Sequence, residues 1–133
     1  MTPMTPMKTL KLAALALVLA CTTACGHSVF GPPTETQCPL SSTLTWTNFG
    51  QKFMADYCTR CHDSSRTGAA RNGAPSFHDF DTRSGVFVVI DHIDETTASG
   101  PAATNTSMPP DGIKPTLEER EKLAEWLACG APE

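Results

Sequence analysis

The sequence has few aromatic residues and no cluster of basic ones. Phenylalanine, tryptophan and tyrosine together make up 7% of the chain, and charged residues make up 18%, with a formal net charge of −4. Without a basic patch, nothing in the charge pattern indicates a nucleic-acid partner. The longest apolar run, residues 12–20, is too short to span a bilayer as a helix. These features argue against a nucleic-acid-binding protein and against a membrane-spanning helix.

What the sequence does have is proline and glycine, eleven and nine of them in 133 residues. This content predicts short elements joined by long loops. With 40% hydrophobic residues the chain is not of the disordered type, and its length suits one domain with tails. Because so small a domain buries a limited core, a covalent staple or a large cofactor would help to stabilise it.

The N-terminal segment has the pattern of an export signal. Lys8 and Lys11 precede the apolar run 12–20, whose alternative interpretation is a buried core helix. The run ends in Val18-Leu19-Ala20-Cys21, which resembles a bacterial lipobox, so we expect a signal peptide at 1–20 and lipidation of Cys21. Cys25 is a second candidate, and ordinary cleavage without lipidation is a third possibility. The expected location is the periplasm or cell envelope, with a lipid anchor in the membrane.

Two of the six cysteines belong to the run Cys58-Thr59-Arg60-Cys61-His62. Cys-x-x-Cys-His is typical of covalent c-type haem attachment: each thiol adds to one porphyrin vinyl group, and the histidine supplies an axial nitrogen. A zinc half-site would need a second ligand pair with suitable spacing, and a thioredoxin-like redox pair would need a βαβ context. Neither is present, so the run predicts one haem c, bound by Cys58, Cys61 and His62.

Four cysteines remain for an exported protein, in which free thiols are unusual. Cys38 and Cys129 form a natural disulfide pair, which would join the segment before the first helix to the end of the last. Lipidation of Cys25 would remove Cys21 with the signal peptide and leave no spare thiol. Lipidation of Cys21 would leave Cys25 unpaired, and the choice between the two stays open.

We expect a flexible tether at 21–45 and an all-α domain at 46–133. A four-residue aromatic spacing predicts a helix over 48–58, with Thr47 or Asn48 as its N-cap. Residues 83–95 are rich in β-branched side chains, yet no second strand is present for pairing, so a helix is predicted there. The capping box Thr116-x-x-Glu119 starts the clearest helix, which ends near Gly130.

An iron ligated by His62 needs a sixth ligand, and Met108 is the best candidate. It stands in a polar loop and is followed by Pro109 and Pro110, which would position a weak thioether ligand. His78 and His92 are rival ligands, with His92 expected on the exposed face of its helix. Ligation by His and Met gives a higher reduction potential than ligation by two His.

The Cys58–His62 run, Gly73-Ala74-Pro75, Met108-Pro109-Pro110 and a last helix ending in Trp126-Leu127 together resemble class I cytochromes c over about residues 46–130. The resemblance implies three to four helices wrapped around one covalent haem. It also implies that the Pro75 carbonyl accepts a hydrogen bond from His62, and that Gly50 and Trp126 meet where the first and last helices cross.

The resemblance further implies an electron carrier with no substrate chemistry of its own, not an enzyme. Its partners would be redox proteins that dock at the exposed haem edge, and a monomer is expected. The alternatives are a haem-based gas or redox sensor, in which Met108 would be labile, and a small haem enzyme with an open distal site.

Overall fold

A computed structural model describes residues 30–133 of the chain. The predicted signal peptide, Cys21 and Cys25 lie outside these residues. Within the described part, four α-helices are present and no β-strand is formed. One isolated antiparallel bridge joins Ser99 and Thr104. The helices are α1 (Gln51–Tyr57), α2 (Arg83–Val88), α3 (Ile90–Thr97) and α4 (Leu117–Ala128), with a π-helical turn at Trp46–Gly50 and a 3-10 turn at Gly68–Arg71.

The first helical segment begins earlier than the sequence predicts. Its N-cap is Thr45, not Thr47 or Asn48: the Thr45 side chain accepts from the backbone N–H of Asn48, whose own side chain accepts from the Thr45 N–H. This reciprocal arrangement satisfies two otherwise unpaired donors. The segment runs on through α1, and Cys58 caps its C-terminal end.

The segment predicted as one helix over 83–95 is helical but divided. Val89 separates α2 from α3 with φ −130° and ψ 34°, outside the α region. The break lets Val86, Val89 and Ile93 all reach the core, where each is at most 6% exposed. The β-branched content therefore reflects burial on a bent helical pair and not a strand.

The last helix agrees with its prediction. Thr116 and Glu119 form the capping box, and Leu123, Trp126 and Leu127 lie in the core. Trp126 packs on Gly50 at the start of the domain, where a Cβ atom would lie 2.5 Å from the Trp126 Cζ2 atom. Only glycine lets the two segments approach so closely. The expected contact between Gly50 and Trp126 is thus present.

A disulfide joins Cys38 to Cys129, the pair that the cysteine pattern predicts. The segment before Cys38 is also attached to the domain by hydrogen bonds. Thr34, expected to lie in a flexible tether, is 1% exposed and bonded to α3. The part of the tether that the structure describes is instead an ordered strap, defined here as residues 30–38, and the domain extends at least to Phe30.

Candidate cofactor site

A cavity lies between the loop that follows α1, helix α3 and the loop that contains Met108. Its volume is about 140 Å³, and it is partly open to solvent. Every residue that the sequence assigns to haem binding lines this cavity: Cys58, Cys61, His62, Pro75 and Met108. Apolar and aromatic neighbours form much of the remaining wall: Phe30, Tyr57, Phe80, Ile93, Pro109 and Pro110. Polar residues, among them Arg60, Asn72 and Thr96, also line it.

The chain turns tightly through the Cys-x-x-Cys-His run. The backbone N–H groups of Cys61 and His62 both donate to the Cys58 carbonyl, at 3.0 and 2.9 Å, so the three side chains share one wall. Neither Cys58 nor Cys61 forms a disulfide, while Cys38 and Cys129 do. Burial raises the pKa of the Cys58 thiol to about 12, which favours its protonated form. Both thiols are therefore free of disulfides and face the cavity.

His62 is oriented by contacts on two sides. Its Nδ1 atom lies 3.0 Å from the carbonyl oxygen of His78, and its ring stacks on Phe80 with centroids 4.4 Å apart. A hydrogen bond to a carbonyl sets Nδ1 as the protonated nitrogen and leaves Nε2 unprotonated for a metal. Burial lowers the pKa of His62, which also favours the neutral ring.

The carbonyl partner of His62 differs from the predicted one. The resemblance implied Pro75, but the Pro75 carbonyl accepts from the Nη2 atom of Arg71. The chain turns back after Pro75, where the His78 N–H donates to the Pro75 carbonyl, and this turn brings the His78 carbonyl to His62. Pro75 still lines the cavity, but its carbonyl is occupied elsewhere.

Arg71 organises this wall, although the sequence analysis did not identify it. Its side chain is 7% exposed, pairs with Asp79 at 2.8 Å and donates to the carbonyls of Asp63, Ala74 and His78. A buried guanidinium is tolerated because its donors are paired. No local pattern marks an arginine for this role, since its acceptors are brought together only by the folded loop.

Met108 reaches the cavity from the opposite part of the sequence. The Met108 N–H donates to the backbone carbonyl of Thr96 in α3 at 3.0 Å. The Met108 carbonyl accepts from the Nη1 atom of Arg120 in α4 at 3.1 Å. Further along this loop, Asp111 forms an ion pair with Arg60, a residue that stands between the two motif cysteines in the sequence. The Met108 backbone is thus held on both sides, while its side chain, 37% exposed, borders the cavity.

Arg120 is the second buried arginine that the sequence analysis did not identify. It is 4% exposed, and its Nη1 atom donates to the carbonyls of Thr97, Asn105 and Met108 at 2.6, 3.0 and 3.1 Å. Burial lowers its pKa. These bonds connect α4 to both ends of the segment that leads from α3 to Met108.

His78 and His92 lie together at the cavity wall. The Nε2 atom of His78 is 3.3 Å from the Nδ1 atom of His92, and His92 stacks on Phe30 with centroids 4.4 Å apart. His92 was expected on an exposed helix face, and that prediction is wrong, because it lines the cavity. Each imidazole has the other as a polar partner, whereas the Met108 thioether has no hydrogen-bond partner among residues 30–133.

Comparison with known proteins gives no match among family models, curated proteins or solved structures. Across residues 30–133, no group of three or more His, Cys, Asp and Glu side chains is arranged to hold a metal ion. Within the same residues, no helix is long and apolar enough to cross a membrane.

Proposed function

We propose that this chain is an exported electron carrier that binds a single haem c covalently, with a fold of the class I cytochrome c type. One observation carries the proposal: Cys58, Cys61 and His62 lie side by side on an apolar cavity, with both thiols outside any disulfide. The donor set fits the group. Two thiols suit two vinyl carbons, one imidazole suits the iron, and the apolar walls suit the porphyrin faces.

The haem, when bound, would supply a one-electron iron couple. The Cys58 and Cys61 sulfurs would hold it permanently, which a domain too small to enclose it needs. His62 would ligate through Nε2, and the His78 carbonyl would keep the ring in that orientation. Met108 would supply the sixth ligand and keep water and other ligands from the iron.

The support for Met108 is that its loop is already held in place. The Thr96 and Arg120 contacts restrain its backbone on both sides of the Cα atom. A weak thioether ligand benefits from such restraint, because less conformational freedom is lost when it ligates. A carrier with both axial positions filled would bind no substrate, and its redox partners would dock at the exposed edge near Arg60 and Asp111.

Export and lipidation complete the proposal. The signal at 1–20 would place the domain in the periplasm or cell envelope, and an acylated Cys21 or Cys25 would anchor it to a membrane. The disulfide Cys38–Cys129 is in keeping with an oxidising compartment.

A haem-based sensor or small haem enzyme is the second candidate. It is favoured by one observation: His92 shares the cavity with Met108, which is 37% exposed. If Met108 left the iron, an imidazole would remain nearby as a polar group for a bound gas or peroxide.

The absorption spectrum of the purified protein tests both candidates. A carrier should show the weak far-red band of a ferric iron bound to a thioether, and should bind carbon monoxide slowly when reduced. Met108→Leu keeps the apolar volume and should abolish the band, whereas Met54→Leu, in the core, should retain it. Rapid carbon monoxide binding by the unaltered protein would favour the second candidate. Absence of covalent haem after expression with a c-type maturation system would exclude both.

A further inference from the structure

The strap, residues 30–38, is attached to α3 by paired polar groups. The Thr34 N–H and hydroxyl donate to the two carboxylate oxygens of Asp94, at 2.8 and 2.7 Å. Thr34 is 1% exposed, so these bonds are shielded from water. Charge-assisted hydrogen bonds in such a site are among the stronger ones. The strap is therefore part of the folded domain.

Two further contacts hold the strap nearer its N-terminal end. The Gly31 N–H donates to the Glu95 carbonyl at 2.8 Å, and the Asn105 side chain donates to the Pro32 carbonyl at 2.8 Å. A Cβ atom on Gly31 would lie 2.2 Å from Asn105 Oδ1, so the backbone fits closely at this point. The strap is thus fixed up to the residue beside Phe30.

Phe30 ends the strap at the cavity itself. Its ring stacks on His92 and lines the same cavity as the motif residues. We call this border of the cavity, made by Phe30, His78 and His92, the strap rim. A restraint on the position of the chain just before Phe30 would therefore also restrain the position of the strap rim.

The chain between the strap rim and the proposed lipid anchor is short. Phe30 is five residues from Cys25 and nine from Cys21. Fully extended, these stretches reach about 18 and 32 Å, and as flexible chains they span on average about 12 and 17 Å. A domain of this size has a radius of gyration of about 13 Å. From either cysteine, the average span is shorter than the domain is wide.

We infer that the short link keeps the strap rim of the cavity close to the surface of the phospholipid bilayer and turned toward it. The inference rests on the lipid anchor of the proposed function, and adds to it the side of the domain that faces the membrane. Electrons would then be exchanged with a partner held in or on the same membrane.

The charge near the strap rim indicates that the link, and not attraction to lipid, would supply this placement. Helix α3 carries Asp91, Asp94 and Glu95 close to the strap, and no Lys or Arg. Arg71, which is bonded to the His78 carbonyl, is paired with Asp79 and adds no net positive charge. Acidic side chains are repelled by anionic headgroups. Without its anchor, the domain should therefore stay off the bilayer.

Energy transfer in lipid vesicles tests the inference without relying on haem chemistry. A fluorophore on a non-natural residue at exposed Ser76, two residues from His78, would report to acceptor dyes on the headgroups of phosphatidylethanolamine–phosphatidylglycerol vesicles. The lipidated protein should show strong transfer. Inserting 20 Gly and Ser residues between Ser28 and Val29 should lower the efficiency about twofold or more, because the average span about doubles.

A second variant lengthens the link without an insertion. Asp94→Ala removes both Thr34 acceptors and should release the strap toward Cys38, giving a smaller drop in transfer with the disulfide intact. A matched control is Asp91→Ala, an exposed substitution one turn earlier on α3, which should leave transfer unchanged.

Each result separates the inference from its premises. Mass spectrometry of the N-terminal peptide detects the acyl chains, and their absence would overturn the membrane placement. The haem-carrier proposal would then still be tested separately by the absorption spectrum. If the protein is acylated but transfer is weak, or is the same with the 20-residue insertion, the link does not orient the domain and the inference is wrong. Strong transfer by the unacylated protein would also contradict it.

Discussion

The carbonyl oxygen of His78 lies 3.0 Å from the Nδ1 atom of His62, the proposed iron ligand. The same oxygen accepts a hydrogen bond from Arg71 at 3.1 Å. A carbonyl has two lone pairs, so it can serve both donors. The orientation of His62 therefore depends on a loop that a buried arginine holds in place.

Arg71→Gln should destabilise the domain by about 2–4 kcal/mol, since it leaves several carbonyls and the Asp79 carboxylate without their donor. Urea denaturation of the protein at neutral pH measures this. The matched control is Arg66→Gln, an exposed arginine in the same loop, expected to change stability by about 0.5 kcal/mol or less. Equal effects of the two variants would show that Arg71 has no special structural role.

Arg120→Met should also cost about 2–4 kcal/mol, because three carbonyl groups lose a shared donor. Since one of them belongs to Met108, the ferric far-red band should weaken along with stability. Arg120→Lys, which keeps the charge, should restore part of the band. A variant that loses stability but keeps the full band would indicate that Arg120 does not position Met108.

Gly50→Ala should destabilise the protein by about 1–2 kcal/mol. Overpacking against Trp126 costs about 1–3 kcal/mol, and a gain in helix propensity of up to about 1 kcal/mol offsets part of it. The double variant with Trp126→Phe removes the ring atoms that the new methyl meets. The free energy of unfolding that the double variant loses should therefore be less than the sum of the two single losses. A double-mutant cycle measured by chemical denaturation checks this. Simple additivity would argue against this contact.

Replacing both Cys38 and Cys129 by Ser should lower the free energy of unfolding by about 4–5 kcal/mol, because the closed loop spans 91 residues. Chemical denaturation without reductant measures the loss. Adding a thiol reductant should destabilise the unaltered protein by a similar amount and should not affect the double variant. A stable double variant would mean that the core alone holds the ends of the chain together.

The capping box of α4 predicts a pH dependence. Hydrogen bonds from Thr116 and Tyr57 lower the pKa of Glu119 below its usual 4.5. The unfolded state therefore binds the proton more readily, so the stabilisation is complete above pH 4.5 and is lost as the pH falls through the lowered pKa.

Because Gln keeps an oxygen acceptor but loses the charge, Glu119→Gln should cost about 0.5 kcal/mol at pH 7 and much less at pH 3, as denaturation at the two pH values would show. The control is Glu121→Gln. Glu121 is an exposed glutamate of the same helix that takes no part in the capping box, so its replacement should show no such change. A pH-independent cost at Glu119 would contradict the assignment.

The capping box Thr116–Glu119 was predictable because neighbouring residues form it. The helical state of residues 83–95 was predictable because the sequence offers no second strand for pairing. The break at Val89 was not predictable, since it depends on which side chains the core accepts. The presence of Cys58, Cys61, His62 and Met108 on one cavity could be predicted from motif spacing and loop chemistry. The roles of Arg71 and Arg120 and the inward position of His92 could not.

The sequence by itself predicted which motif side chains line the cavity and that Cys38 pairs with Cys129. Cys58, Cys61 and His62 are adjacent in the chain, so no folding information is needed to group them. The tertiary structure alone decided which carbonyl meets His62, and that the strap runs along α3 to the cavity. The Thr34–Asp94 contact joins residues 60 positions apart. Such a contact depends on the register of two whole segments, and no local pattern encodes that register.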